Sequence, residues 1–174
     1  RAVRGLKPIE AHASDTMASA AYWVGAQADR IVAGPTASVG SIGVVGAVLD
    51  SSQQAEMAGV KVHVISSHPL KGAGIPGSHV SEEQIAEFRR NVETLSALFV
   101  DAIASGRGMD AAAVRELATG QVWIGEEARS RGLVDAIGGV VTPGKGQSQA
   151  SAHIPVLIHP AETILPHAQT TAPK

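Results

Sequence analysis

From residue 81 onward the chain takes up a helical rhythm. Ile85, Phe88, Val92, Leu95, Phe99 and Ile103 recur every three or four residues, which puts them on one apolar stripe of a long helix. Ser81-Glu-Glu-Gln84 in front of it has the spacing of a capping box, and the helix is expected to end near Gly106. Earlier in the chain the period is shorter. Residues 7–13 alternate like a strand, 30–33 form a short apolar strand, 44–49 are apolar throughout, and 60–65 alternate again. Between these segments, 18–28 and 51–58 read as helices of small residues. Residues 34–43 and 68–79 carry too much Gly, Ser and Pro to be regular. Beyond Asp110, a suitable N-cap, the pattern predicts a second helix and then a strand at 121–124. A short helix at 126–131, stopped by Gly132, and a strand at 133–135 complete the series. Strands alternating with helices make an α/β domain.

After Gly139 the composition shifts to Pro, Gly, Ser, Gln and Thr. Residues 1–139 are therefore expected to be the domain. Residues 140–174 form a flexible or loosely docked tail, in which 154–158 could add an edge strand. The chain has 174 residues, enough for one domain with a real core. It opens on Arg1 and reaches a strand-like segment almost at once, so an upstream portion is expected to precede it.

Composition narrows the function classes. The net charge is −2 and the basic residues are scattered, whereas a nucleic-acid binder shows a basic stripe; no nucleic acid is expected as a partner. The absence of cysteine excludes disulfides, a thiol nucleophile and cysteine-ligated zinc. No pair of histidines has HExxH spacing and no glycine-rich stretch has the spacing of a P-loop, so neither a metal nor a cofactor is expected. No apolar run reaches the 18 residues of a membrane span; membrane association would need an anchor upstream.

Ser19 sits where a turn hands over to a helix, in Met17-Ala-Ser-Ala-Ala-Tyr-Trp23. Helix N–H groups there could stabilise an oxyanion, although a serine at such a place is more often a plain helix cap. Lys71 lies in the loop Ser67-His-Pro-Leu-Lys-Gly-Ala-Gly74, with no acidic residue nearby in sequence. A lysine takes a serine's proton only when neutral, which burial away from anions favours; an ordinary solvated lysine is the plainer reading. Ser41, in Gly40-Ser-Ile-Gly43, could orient a lysine amine or be an ordinary turn serine. A Ser–His–Asp arrangement is the alternative, with His12, His63 or His68 as base and Asp15, Asp29 or Asp50 as orienter.

In combination these segments resemble the signal peptide peptidase (SppA) type serine peptidases, a family that includes phage capsid-assembly proteases. Met17-Ala-Ser-Ala-Ala-Tyr-Trp23 is similar to the family's nucleophile segment. Ala28-Asp-Arg-Ile-Val-Ala33 and Gly40-Ser-Ile-Gly-Val44 resemble the stretches that follow it. Lys71 lies beyond Ser19 at the family's spacing, and Ser41 matches its second serine. Thr119-Gly-Gln-Val-Trp-Ile-Gly125 and Arg131-Gly-Leu-Val-Asp135 resemble its closing signature. The resemblance covers residues 7–139. Ala20-Ala21 replaces the family's usual Gly-Gly, keeping the small size.

The resemblance implies a Clp protease/crotonase-like α/β fold of repeated ββα units, with the N-terminal unit missing from this stretch. It implies Ser19 as nucleophile, Lys71 as base, Ser41 as the residue holding the lysine, and the Ala20 N–H as one oxyanion donor. Part of the family's oxyanion hole would precede Arg1, so this stretch alone is expected to be inactive. The implied partners are a polypeptide substrate and further copies of the chain, with sites near subunit interfaces. The implied setting is the cytoplasm of a bacterial or phage-infected cell, or a membrane reached through an upstream anchor. Signal peptides and phage head proteins are the two candidate substrates, and residues 20–30 lean slightly toward the phage type. The rival readings are a crotonase-like acyl-CoA enzyme and a catalytically inert assembly scaffold.

Overall fold

The computed structural model describes residues 7–139. Strands β1 (Glu10–Ala13) and β2 (Thr16–Ala18) lead into helix α1 (Ala20–Gly25). Strands β3 (Arg30–Ala33) and β4 (Ser38–Gly40) follow, and then helix α2 (Ser52–Met57). Helices α3 (Glu82–Arg107) and α4 (Ala111–Leu117), strand β5 (Val122–Ile124), helix α5 (Glu126–Ser130) and strand β6 (Ala136–Ile137) complete the series. This is a mixed α/β domain with two three-stranded sheets. One sheet is parallel, in the order β1-β3-β6; the other has β4 in the centre, parallel to β2 and antiparallel to β5.

The helix signals from residue 51 onward map closely onto the fold. The helix expected at 18–28 is only Ala20–Gly25, because Ala18 pairs with Gly40 in β2 and the chain turns after residue 25. Ser81 Oγ accepts from the Gln84 amide while the Gln84 side chain accepts from the Ser81 amide, so the capping box forms as spaced. Gly108, in the left-handed conformation, ends α3, and Asp110 caps α4 by accepting from the Ala112 and Ala113 amides. The long stripe on α3 is only partly used. Phe99, Val100 and Ile103 reach the core, whereas Phe88, Leu95 and Leu98 are exposed. The helix is 26 residues long, about 39 Å at 1.5 Å per residue, so its N-terminal half outruns the two small sheets.

The strand expectations fared unevenly. Residues 34–43 contain β4, and the last strand is 136–137, not 133–135. Residues 44–49 and 60–65 join no ladder, although both looked like strands. Alternation predicts a strand only if a neighbour supplies the pairing, and here these segments face outward, with Val45 92% and Ile65 98% exposed. The expected edge strand at 154–158 lies outside the described residues.

The core gathers Ile31 and Val39 from the sheets, Ile42 from just beyond β4, Tyr22 from α1, Phe99 and Ile103 from α3, Val114 from α4, and Leu133. A polar strap borders it. Arg107, its side chain only 6% exposed, makes two bonds to the Asp135 carboxylate, at 3.0 and 2.7 Å. Asp135 in turn accepts from the Ile31 amide at 2.7 Å. The Arg107 guanidinium, followed by the Ile31 amide, holds the Asp135 carboxyl below its ordinary range despite the cost of burial. A carboxyl lowered in the folded state contributes stability above its ordinary pKa and loses it as pH falls through the lowered value. Acid unfolding is thus expected to steepen below about pH 4. In an Asp135→Asn variant that acid limb should be flatter and stability at neutral pH lower, as read by chemical denaturation across pH.

Candidate active site

Strand β2 runs straight into Ser19, and β4 runs beside it in parallel with Ala18 opposite Gly40. The next residue on each strand is a serine, Ser19 and Ser41, so the two leave the sheet side by side at its C-terminal edge. The Ser19 amide donates to the Gly40 carbonyl at 2.8 Å, and the Ser41 amide to the Gln121 carbonyl at 2.6 Å. Three consecutive backbones are therefore laced together at this edge.

Both serines are held in an unusual conformation. Ser19 has φ 55° and Ser41 φ 48°, and among the described residues they are the only non-glycine residues with positive φ. Such positions cost about 1–3 kcal/mol each and persist where the surroundings enforce them, most often at functional sites. A capping serine has β-region dihedrals and accepts from the second or third helical amide. Ser19 occupies the N-cap position of α1 by sequence, yet has ψ −127° and makes no capping bond. Its exposed hydroxyl is left for other work. Strand β5 enters α5 through Gly125 with nearly the same dihedrals, φ 46° and ψ −114°, so the strand–turn–helix corner occurs twice. At Gly125 a side chain would collide with the Pro35 carbonyl, whereas the corner at Ser19 is open to solvent.

Ala20 opens α1 and is exposed, with buried Ala21 behind it. The first amides of a helix have no intrahelical acceptor, and no side chain caps them here. An N–H donor therefore lies one residue from the Ser19 hydroxyl. The small size of both alanines keeps the approach clear.

Lys71 sits in the turn after residue 68, its amide donating to the His68 carbonyl at 2.9 Å. It is exposed, and the bonds of the described residues include none between Lys71 and either serine. The fold thus brings Ser19, Ser41 and Ala20 together, while Lys71 makes no hydrogen bond to either serine within the chain. The base of its segment is fastened by Asp50, which accepts from the Ser52 amide and hydroxyl, the Val80 amide and the His79 ring. These bonds, the Ser52 hydroxyl first, hold the Asp50 carboxyl well below the usual range.

Among the described residues the candidate histidines are exposed or bonded to groups other than Ser19. His12 pairs with Glu10 at 2.7 Å in the parallel sheet, and Glu10 also binds Arg30. His63 and His68 are exposed, and Asp50 is engaged by His79. The Ser19 hydroxyl has no histidine partner among the described residues. No group of three or more His, Cys, Asp or Glu among these residues could hold a metal ion. Sequence reasoning missed the Tyr22–Arg107–Asp135 assembly behind α1: Tyr22 and Asp135 lie in segments already singled out, but no local pattern links them to each other or to Arg107.

The model of peptidase family S49 matches residues 1–145. The chain is 37% identical over 131 residues to a putative signal peptide peptidase SppA of Enterococcus faecium, covering 75% of this chain and 38% of that one. It is 36% identical over 137 residues to the chloroplastic serine protease SPPA of Arabidopsis thaliana, covering 77% of this chain and 20% of that one. With capsid assembly protease C of Escherichia phage lambda the identity is 29% over 135 residues, covering 78% of this chain and 30% of that one. The chain thus spans well under half the length of each of these relatives.

Proposed function

The chain belongs to peptidase family S49, and from that premise we propose that it is a serine endopeptidase whose nucleophile is Ser19, with Lys71 as base. The observation that carries this reading is the pair of strained serines at one sheet edge, with Ser19 unused as a cap. In the proposed cycle Ser19 Oγ attacks the scissile carbonyl as its proton passes to the Lys71 amine. The Ala20 N–H and the end of α1 face the developing oxyanion. Lys71 returns the proton to the leaving amine, and the acyl-enzyme is then hydrolysed by a water that Lys71 deprotonates. Ser41, beside Ser19, positions the amine.

Lys71 makes no hydrogen bond to either serine within the chain, and we place the complete site between copies, with a Clp protease/crotonase-like unit repeated around a homo-oligomer. The unpaired apolar side chains support this. Val45, Leu49, Met57 and Ile65 are each more than three-quarters exposed, apolar side chains that a neighbouring copy could cover. Residues 44–49, outside any ladder, leave backbone groups free for an extended peptide to add as a strand. The substrate class is an extended segment with small or apolar side chains.

Among the relatives, two names refer to SppA and one to capsid assembly, and both roles stand as candidates here. No helix among the described residues is long and apolar enough to cross a membrane.

The test is labelling of the full-length protein with a fluorophosphonate, the adduct mapped by mass spectrometry. A single adduct on the peptide carrying Ser19 is expected. A folded, oligomeric protein that stays unlabelled would favour an inert scaffold, and stabilisation by acyl-CoA without labelling would favour the crotonase-like enzyme.

A further inference from the structure

Helix α1 is six residues long, too short to hold itself in water, and its N-terminus has no side-chain cap. Whatever fixes Ser19 at its corner must come from outside the helix. One turn beyond Ser19, Tyr22 is fully buried, and its hydroxyl donates to the Leu133 carbonyl at 2.8 Å. The acceptor segment, between α5 and β6, is itself immobilised. Arg107 binds the Gly132 carbonyl and both oxygens of Asp135, and Asp135 takes the Ile31 amide. Leu133 is thus gripped on both sides, by bonds running to the C-terminus of α3 and to β3. Burial pushes the Tyr22 hydroxyl far up, with the Arg107 guanidinium opposing the rise, so the group remains a neutral donor at working pH.

We infer that Tyr22 is a positioning residue for the nucleophile: its hydroxyl, anchored on the Arg107–Asp135 strap through Leu133, sets the height and rotation of α1 and thereby the strained conformation of Ser19. This rests on the reading of Ser19 as nucleophile. Apolar packing also touches α1, since Trp23 stacks on Phe99 at 4.6 Å. Stacking tolerates sliding of the rings, whereas a hydrogen bond with donor and acceptor both buried fixes direction. A displacement of about 1 Å at a reacting atom can cost on the order of 10²-fold in rate. Removing one buried hydroxyl therefore acts on Ser19 more than on the fold.

The experiment compares wild type, Tyr22→Phe and Asp135→Asn in the full-length protein, with Val114→Ala as a control for lost stability. Val114 is buried in α4 and lies outside the strap. Fluorophosphonate labelling rate, kcat and KM on an extended peptide, and Tm are measured for each. In Tyr22→Phe the labelling rate and kcat should fall about 10- to 100-fold with KM nearly unchanged. Asp135→Asn should fall in the same direction by less, and Val114→Ala should lose Tm while labelling at the wild-type rate. Wild-type labelling in Tyr22→Phe, with only Tm lowered, would overturn the positioning role and leave the peptidase reading intact. An unlabelled wild type would overturn both. Should Tyr22→Phe not fold, Asp135→Asn decides: labelling at the wild-type rate would overturn the role.

Discussion

Alanine at Ser19 or at Lys71 is expected to lower peptide-bond turnover by about 10³- to 10⁶-fold, and the double variant should lose no more than the worse single one. A nucleophile and its base act as one unit. Once either is gone, the other has nothing to activate or to be activated by, and the residual rate comes from the oxyanion donors and substrate binding alone. Additive losses would show two independent contributions and count against a dyad. Equal rates for wild type and Lys71→Ala would remove Lys71 from the mechanism. Because Lys71 makes no bond to Ser19 or Ser41 within the chain, the two single variants also allow a complementation test. Oligomers reassembled from a mixture should regain activity, since an interface can combine Ser19 from one copy with Lys71 from the other. A dyad contained within each chain predicts no recovery on mixing. The readout is peptide cleavage before and after dissociation and reassembly.

Gly106→Ala should destabilise the fold by about 2–4 kcal/mol, a fall in Tm of roughly 10 °C for a domain of this size. Propensity alone predicts the opposite sign, because alanine inside a helix gains about 1 kcal/mol over glycine. The reversal has a geometric cause. A Cβ at Gly106 would collide with the Ala26 carbonyl oxygen and lie 3.0 Å from the Gln27 side-chain nitrogen. The first of these is backbone and cannot rotate away. To admit the methyl, α3 would have to back off from the segment that follows α1. That would strain the Gln27 bond to the Ala102 carbonyl, 3.0 Å long, and the Trp23–Phe99 stack. Thermal and denaturant unfolding of the purified variant check this. A Tm at or above wild type would mean that the two segments part more easily than the contact implies.

Elements defined by neighbours in sequence were legible before any fold was known. The Ser81–Gln84 capping box, the Asp110 cap, β3 at 30–33 and the strand that became β5 all depend on residues a few positions apart. So did the two serine turns. Gly40 and Gly43 flank Ser41, and small residues flank Ser19, which marked both as places where the backbone does something irregular. What misled was a strand-like pattern without a partner. Residues 44–49 and 60–65 have the composition of strands, but a strand is a relation between two segments, and nothing among the described residues pairs with either.

The sequence by itself determined the long helix α3 with its capping box, the Asp110 cap of α4 and the order of the motifs, because those depend on local sterics and on short-range hydrogen bonds. Only the tertiary structure decided that Ser19 and Ser41 stand together. Their proximity comes from the parallel register of β2 and β4, which places Ala18 opposite Gly40 across a chain separation that no local pattern encodes. Tertiary structure likewise decided that Ser19 is strained instead of capping and that Tyr22 rests on a strap closed by Arg107 and Asp135. It also left Lys71 exposed in the single chain. In each case the deciding quantity is a distance between segments far apart in sequence, set by the packing of the core.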